Sequence, residues 1–342
     1  MKPPMDVRRN ARRTLLTALG STLLAAPLAS LAQPAPRVWR IGYIDFGSRQ
    51  STVSAGRLDA LMKGLREYGY VEGKNLVFDA RYAEGNAERV DGFATDLVRQ
   101  RVDLLLTLGS GASHAARRAT LNLPAPIPIV VISSPDPVSE GFAKTLARPG
   151  GNMTGMSNGA DDTVQKLVEL LGEIAPKLSR IAVLTNPSNG AHASLMTSLQ
   201  AAAKIKGKQV TAMSVSRAEE IDSRFAAMPR ERINGVIILA DAFLFQQRAQ
   251  IAALALKQRL PSIYALAGYA EAGGLMNYGA DNSDNFHRAA KFVDRIFKGT
   301  KPADLPFEQP LRYYLVINGK TAKALGLTLS HALLISADKV IE

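Results

Sequence analysis

Short, nearly all-apolar runs alternate along the chain with stretches in which apolar residues recur every three or four positions. The first kind predicts strands over 38–46, 75–82, 103–108 and 127–133, and the second predicts helices over 57–68, 87–100 and 113–120. In the 57–68 helix Leu58, Leu61, Met62 and Leu65 share one face, and Gly69 stands where a C-cap falls. Strands apolar at almost every position need cover on both faces, which is the condition of a parallel βαβ array.

The same order restarts after the turn Pro149-Gly150-Gly151-Asn152. Helices are expected over 163–174, 193–205, 218–228 and 242–258, with strands over 180–185, 209–215, 235–240, 262–265 and 274–278. Three markers repeat in order. Arg40-Ile41-Gly42-Tyr43-Ile44 matches Arg180-Ile181-Ala182-Val183-Leu184. Arg101-Val102-Asp103-Leu104-Leu105 matches Arg232-Ile233-Asn234-Gly235-Val236, and Pro128-Ile129-Val130 matches Pro261-Ser262-Ile263. βαβ units resemble one another by chance, but three markers in order favour two copies of one architecture. A helix over 285–297, a connector over 298–310 and a strand over 311–317 are too few to enclose a third core. They complete the two lobes if the chain crosses between them near Gly155, Gly279 and Gln309. The expected fold is α/β, with two doubly wound parallel-sheet lobes joined by a three-segment hinge. The first lobe spans 37–155 plus 279–309 and the second 156–278 plus 310–342.

The first residues follow another pattern. Arg8, Arg9, Arg12 and Arg13 precede an apolar run over 15–28 and the small-x-small signal Ser30-Leu31-Ala32. This predicts an export signal peptide over 1–32, cleaved near Ala32, and a periplasmic protein; a twin-arginine route and the Sec route both fit. The chain has no cysteine, so lipid attachment at the cleavage point, disulfides and thiolate metal sites are excluded. Of the formal charge of +12, +4 lies in the leader. The remaining Lys and Arg residues are scattered (Arg99, Arg101, Arg117, Arg118, Lys204, Lys206, Lys208) and not interleaved with aromatics, so no nucleic-acid partner is expected.

In open parallel sheets ligands bind beyond the carboxyl ends of the strands. Those ends supply Asp45, Phe46, Ser110, Ser113, Ser133 and Asp136 from the first lobe, and Asn186, Asp241, Tyr264 and Asp281 from the second. Small residues over 109–113 let a carboxylate approach the backbone N–H groups that open the next helix, with Ser110 and Ser113 adding hydroxyls. An ordinary helix cap accounts for the same residues. Asp136, Asp241 and Asp281 suit an ammonium group in a water-poor cleft, or each caps a turn. Phe46 and Tyr264 offer an apolar wall. The four histidines, His114, His192, His287 and His331, lack metal spacing. There is no Gly-x-Ser-x-Gly elbow or Walker loop, and Gly109-x-Gly111 lacks the third glycine of a dinucleotide fingerprint. The residues favour a monomeric binder of a small molecule that needs no cofactor. A ligand-presenting sensor and, further off, an exported enzyme are the alternatives.

Several longer runs carry a family likeness. They include Gly64-Leu65-Arg66-Glu67-Tyr68-Gly69 continuing through Leu76, Arg81-Tyr82-Ala83-Glu84-Gly85-Asn86, Asp136-Pro137-Val138, and the segments over 146–155, 271–279 and 298–306. From Arg40 to Glu342 the chain resembles ABC-transporter substrate-binding proteins of the type I periplasmic-binding-protein fold. The similar subgroup is that of exported proteins for tryptophan and other aromatic amino acids. The resemblance implies two α/β lobes joined by three strands, closing on a small ligand, such as an amino acid or related carboxylate, for delivery to an ABC permease. The chain has Gly109-Ser110-Gly111 where the family usually has Gly-Thr-Pro, and Gly190 where a second Asn-Pro pair usually ends. The ligand is therefore not carried over from the family.

Overall fold

The computed structural model describes residues 37–54, 56–280 and 282–342; the expected leader and Asp281 lie outside them. In chain order the first lobe contains β1 (Trp39–Asp45), α1 (Arg49–Ser54), α2 (Arg57–Glu67), β2 (Leu76–Tyr82), α3 (Ala87–Arg99), β3 (Leu104–Leu108), α4 (Ser110–Thr120), β4 (Ile129–Ser134) and β5 (Met153–Ser157). Its sheet is parallel throughout, in the order β2-β1-β3-β4-β5. Every residue of β3, β4 and β5 is buried. Alternation along the strands divides the core in two: Ile41, Leu104, Leu106 and Val130 pack on one face of the sheet, and Ile44, Leu105, Ile129 and Val131 on the other.

The chain then builds α5 (Ala160–Ile174), β6 (Arg180–Thr185), α6 (Ala191–Ile205), β7 (Gln209–Ser214), α7 (Ala218–Ala227), β8 (Gly235–Ile238), α8 (Ala242–Gln246), α9 (Arg248–Lys257), β9 (Ser262–Tyr264) and β10 (Met276–Ala280). Next come α10 (Asn282–Phe297), a 3-10 turn (Pro302–Asp304), β11 (Tyr313–Asn318), α11 (Gly319–Ala324), α12 (His331–Ser336) and β12 (Lys339–Ile341). The second sheet runs β12-β11-β10-β9-β8-β6-β7, antiparallel only at the β10–β11 pair.

α10 returns to the first lobe. It crosses α2 at Gly64, where a Cβ would stand 2.6 Å from the His287 carbonyl oxygen, so only glycine permits the approach. Trp39 stacks on Phe297 at 4.0 Å, and Phe286 and Val293 enter the core on that face. The connector follows β5: Thr154 Oγ1 donates to the Leu305 carbonyl at 2.7 Å and Glu308 N to the Gly155 carbonyl at 2.9 Å. The chain thus passes between the sheets three times, after β5, between β10 and α10, and between Glu308 and β11.

The repeat is structural. Arg40 N donates to Asp103 Oδ2 at 2.8 Å and Asp103 N donates back to the Arg40 carbonyl at 2.8 Å. In the second lobe Arg180 N donates to Asn234 Oδ1 at 3.0 Å and Asn234 N to the Arg180 carbonyl at 2.9 Å. Leu105 N reaches the Pro128 carbonyl and Val236 N the Pro261 carbonyl, each at 2.9 Å.

The structure adds α1, α11, α12 and β12, which the pattern does not predict, and departs from the expected elements at several further places. β5 has no apolar run; it is a strand because β4 on one side and the 305–308 segment on the other satisfy it. The helix expected over 242–258 is two helices that meet at Gln247. α4 starts at Ser110 and not at Ser113, and β10 lies two residues later than its expected span.

Candidate functional site

The carboxyl ends of β1, β3 and β4 face those of β6 and β8 across a cavity with about 590 Å³ of empty space, partly open to solvent. Asp45, Thr52, Arg57, Ser110 and Ser133 line it from the first lobe, and Asn189, Asp241, Phe245, Gln246 and Leu266 from the second, with Asn158 on the segment that follows β5.

On the first-lobe side, Asp45 is spent on its own loop. Thr52 Oγ1 donates to its carboxylate at 2.5 Å, Gly47 N at 2.7 Å and Tyr43 Oη at 2.8 Å. Burial raises its pKa, and those three bonds oppose the rise. Ser110 opens the eleven-residue α4 after Gly109, whose φ of +89° suits glycine. Its hydroxyl is buried with no hydrogen-bond partner. Behind it lies Glu140, only 5 % exposed, whose Oε2 accepts from Ser134 Oγ while Oε1 is unpartnered. Burial pushes the Glu140 carboxyl up to about 7; the Ser110 and Ser134 hydroxyls work against the rise, and Asp136 and Asp241 add to it.

On the second-lobe side, Asp241 caps α8 by accepting from Leu244 N at 2.9 Å and collects Asn189 Nδ2 at 3.0 Å and Asn186 Nδ2 at 3.2 Å. His192 holds the loop beneath: Nδ1 accepts from Asn186 N at 2.8 Å, so Nε2 carries the proton facing the Ala240 carbonyl at 3.2 Å. Burial lowers its pKa and keeps it neutral in that role. The only carboxylate that faces the cavity from this lobe, among the described residues, is Asp241.

The lobes meet around the cavity. The Arg57 guanidinium lies over the Phe245 ring at 4.8 Å from its centroid, and Arg248 lies over the same ring at 4.6 Å. A Cβ on Gly109 would stand 3.0 Å from the Ala242 methyl, and one on Gly85 would stand 2.5 Å from Gln246 Oε1.

Of the residues expected from sequence, Asp45, Ser110, Ser133 and Asp241 line the cavity, and Phe46 and Asn186 line a smaller recess that shares Ser110 and Asp241 with it. Three others line neither space. Ser113 is fully buried against the sheet, 2.8 Å from Thr107 Oγ1 and bonded to the Gly109 carbonyl, because α4 begins one turn earlier than expected. Asp136 caps its own turn by accepting from Val138 N at 2.9 Å. Tyr264 is core, stacked on Tyr269 at 4.2 Å. Asp281 lies outside the described residues.

Sequence reasoning missed Arg57, Asn158, Phe245 and Gln246. Arg57 had a signal: it shares the buried face of α2 with Leu61, Gly64 and Leu65, a place where an arginine needs a reason. Phe245 and Gln246 were hidden inside one supposed long helix. The assembled wall joins a guanidinium on one side to a carboxylate on the other. Its unpartnered buried atoms are the Ser110 hydroxyl and two acceptors, Asn158 Oδ1 and Gln246 Oε1. Such a wall suits a small molecule that carries both an anionic and a cationic group.

A family model described as ABC transporter substrate binding protein matches residues 51–341. A tyrosine-binding protein of Clostridioides difficile is 25% identical over 266 residues, 78% of this chain and 75% of that protein. The crystal structure of a conserved domain protein from Vibrio cholerae covers 89% of this chain and all of its own at 28% identity and a TM-score of 0.82. An ABC domain from Streptococcus pneumoniae in complex with L-Trp shows the same coverage at 26% identity and a TM-score of 0.81.

Proposed function

The chain belongs to the ABC transporter substrate-binding protein family, and we propose that it captures an L-amino acid, an aromatic one foremost, in the cavity between its lobes. The observation that carries this reading is the placement of opposite charges on opposite lobes: Arg57 on the first and Asp241 on the second face one cavity. In this reading the ligand ammonium sits at Asp241, supported by Asn189. The carboxylate lies toward Arg57 and the start of α4, where Ser110 and the helix N-terminus favour an anion. Leu108, Phe245 and Leu266 supply an apolar wall for the side chain. The relatives described as binding tyrosine or holding L-Trp support the aromatic preference.

A ligand that touches both lobes stabilises the closed arrangement by the contacts it makes only there. A membrane permease then distinguishes loaded from empty protein by the lobe surfaces that closure brings side by side. The family and the structural relatives are solute-binding proteins rather than enzymes. Family members work outside the cytoplasm, and among the described residues no helix is long and apolar enough to cross a membrane. We place this chain in the periplasm as a monomer, with the hinge dividing 37–155 plus 279–309 from 156–278 plus 310–342.

The reading is checked by a thermal-shift screen of the L-amino acids, carboxylates and neutral sugars, since a ligand that binds only the folded state raises its melting temperature by mass action. The largest shifts are expected from L-tryptophan and L-tyrosine. Shifts confined to neutral sugars would overturn it.

A further inference from the structure

Glu140 is a buried acid directly behind the cavity wall, and no cation is paired with it among the described residues. Ser134 Oγ donates to one of its oxygens, and the other has no partner. Between this carboxyl and the cavity stands Ser110, 7 % exposed, with its hydroxyl also unpartnered. The charged groups nearby do not help Glu140 ionise. Asp136, on its own turn, and Asp241, from the second lobe, both oppose it. From α4, His114 packs its ring against Phe142 at 4.7 Å, and its charged form is disfavoured by burial and by Arg118 and Arg117. Arg117 lies toward Gly141, where a Cβ would be 3.6 Å from its Nη1. Burial without a counter-ion holds the carboxyl near neutrality in its titration, at about 7.

The protonation state of Glu140 fixes what Ser110 offers a ligand. With Glu140 protonated, its O–H is free to donate to Ser110 Oγ while Ser134 still donates to the other oxygen, and the Ser110 hydrogen is released toward the cavity as a donor. With Glu140 ionised, the Ser110 hydrogen turns back to the carboxylate, and a ligand there meets lone pairs with a negative charge behind them. An anionic group at the start of α4 is compatible only with the first arrangement.

We propose that Glu140 is a proton-linked positioning residue: it takes up a proton when a ligand carboxylate docks on Ser110, so that capture of an amino acid is coupled to proton uptake. This rests on the amino-acid reading above and adds to it a linkage between binding and pH.

The experiment is titration calorimetry with L-tryptophan and L-tyrosine near pH 7 in two buffers of different ionisation heat. Uptake of about half a proton per ligand is expected, because a group with a pKa of about 7 is half ionised there. Affinity is expected to hold steady below pH 6.5 and to fall by up to roughly tenfold per unit above pH 7.5. In Glu140→Gln the uptake vanishes and the affinity becomes flat across that range; in Ser110→Ala the uptake vanishes as well. Tyramine, which lacks the carboxylate, is expected to provoke no uptake. In the wild-type protein, ¹³C-glutamate spectra give a check independent of folding of the variants: one carboxyl titrates near 7 and moves upward when L-tryptophan is added. Proton release, uptake that persists in Glu140→Gln, equal uptake with tyramine, or a wild-type carboxyl that the ligand does not move would each overturn the proposal. If amino acids bind without Glu140-dependent uptake, only this linkage falls. If none binds, the amino-acid reading falls with it.

Discussion

Asp241 does two jobs that an alanine substitution would confuse. It caps α8 through Leu244 N and anchors Asn186 and Asn189, and it also presents the second lobe's carboxylate to the cavity. Asp241→Asn keeps the cap, since the carboxamide oxygen still accepts from Leu244 N, but it removes the charge and turns an amide donor toward Asn189 Nδ2, so its effect is read against a ligand that has no ammonium. A hydrogen bond between charged groups contributes about 1.5–3 kcal/mol, so the affinity for L-tryptophan is expected to drop by roughly 10- to 150-fold. Indole-3-propionate, which keeps the ring and carboxylate but has no ammonium, is expected to lose little. Calorimetry with both ligands reads the difference; an equal loss for the two would show that Asp241 acts by shaping the α8 loop and not by pairing with an ammonium.

At the scale of elements, the turns that lead from helix into strand share a backbone device. Arg101, Arg232 and Arg259 stand in the left-handed region with φ of 56° to 57°, where a side chain is strained and glycine is not. Arg232 is exposed and follows α7, so Arg232→Gly is expected to raise stability by about 0.5–1 kcal/mol, read by urea unfolding. The same turns explain how much was legible beforehand. Arg101 and Arg232 belong to the repeated sequence marker, and the marker is visible because Asp103 and Asn234 tie each turn to the first strand of its lobe. Runs such as Leu104–Leu108 and Arg180–Thr185 carry their structure in their pattern. Met153–Ser157 does not, because its burial depends on a connector some 150 residues away in sequence. The same holds for the site. Strand ends pointed to Asp45, Ser110, Ser133 and Asp241. Arg57 and Phe245 reach the cavity from helices, and only the meeting of the two lobes gives them a shared role.

For the molecule as a whole, the proposed capture requires that the lobes part and meet again, and several contacts mark where they meet. Gly109 faces the Ala242 methyl at the cavity edge, Gly85 faces Gln246, and Arg57 covers Phe245. Replacing Gly109 would test this contact poorly, because its φ of +89° strains any side chain and mixes stability with closure. Ala242 is the better lever. It is the first residue of α8, has ordinary helical backbone and is half-buried, so Ala242→Leu adds bulk at the contact without straining either lobe. The added side chain must occupy the space where Gly109 approaches, and overpacking of this kind costs about 1–3 kcal/mol. Ala242 also lines the cavity, so the added bulk weighs on the closed, loaded arrangement and subtracts from ligand affinity, by roughly 5- to 150-fold. The melting temperature of the ligand-free protein is expected to stay within a few degrees of wild type, while small-angle scattering shows a more extended molecule that L-tryptophan contracts less. If Ala242→Leu binds and contracts as wild type does, ligand capture does not depend on bringing Gly109 against α8, and closure must be set at the hinge segments instead.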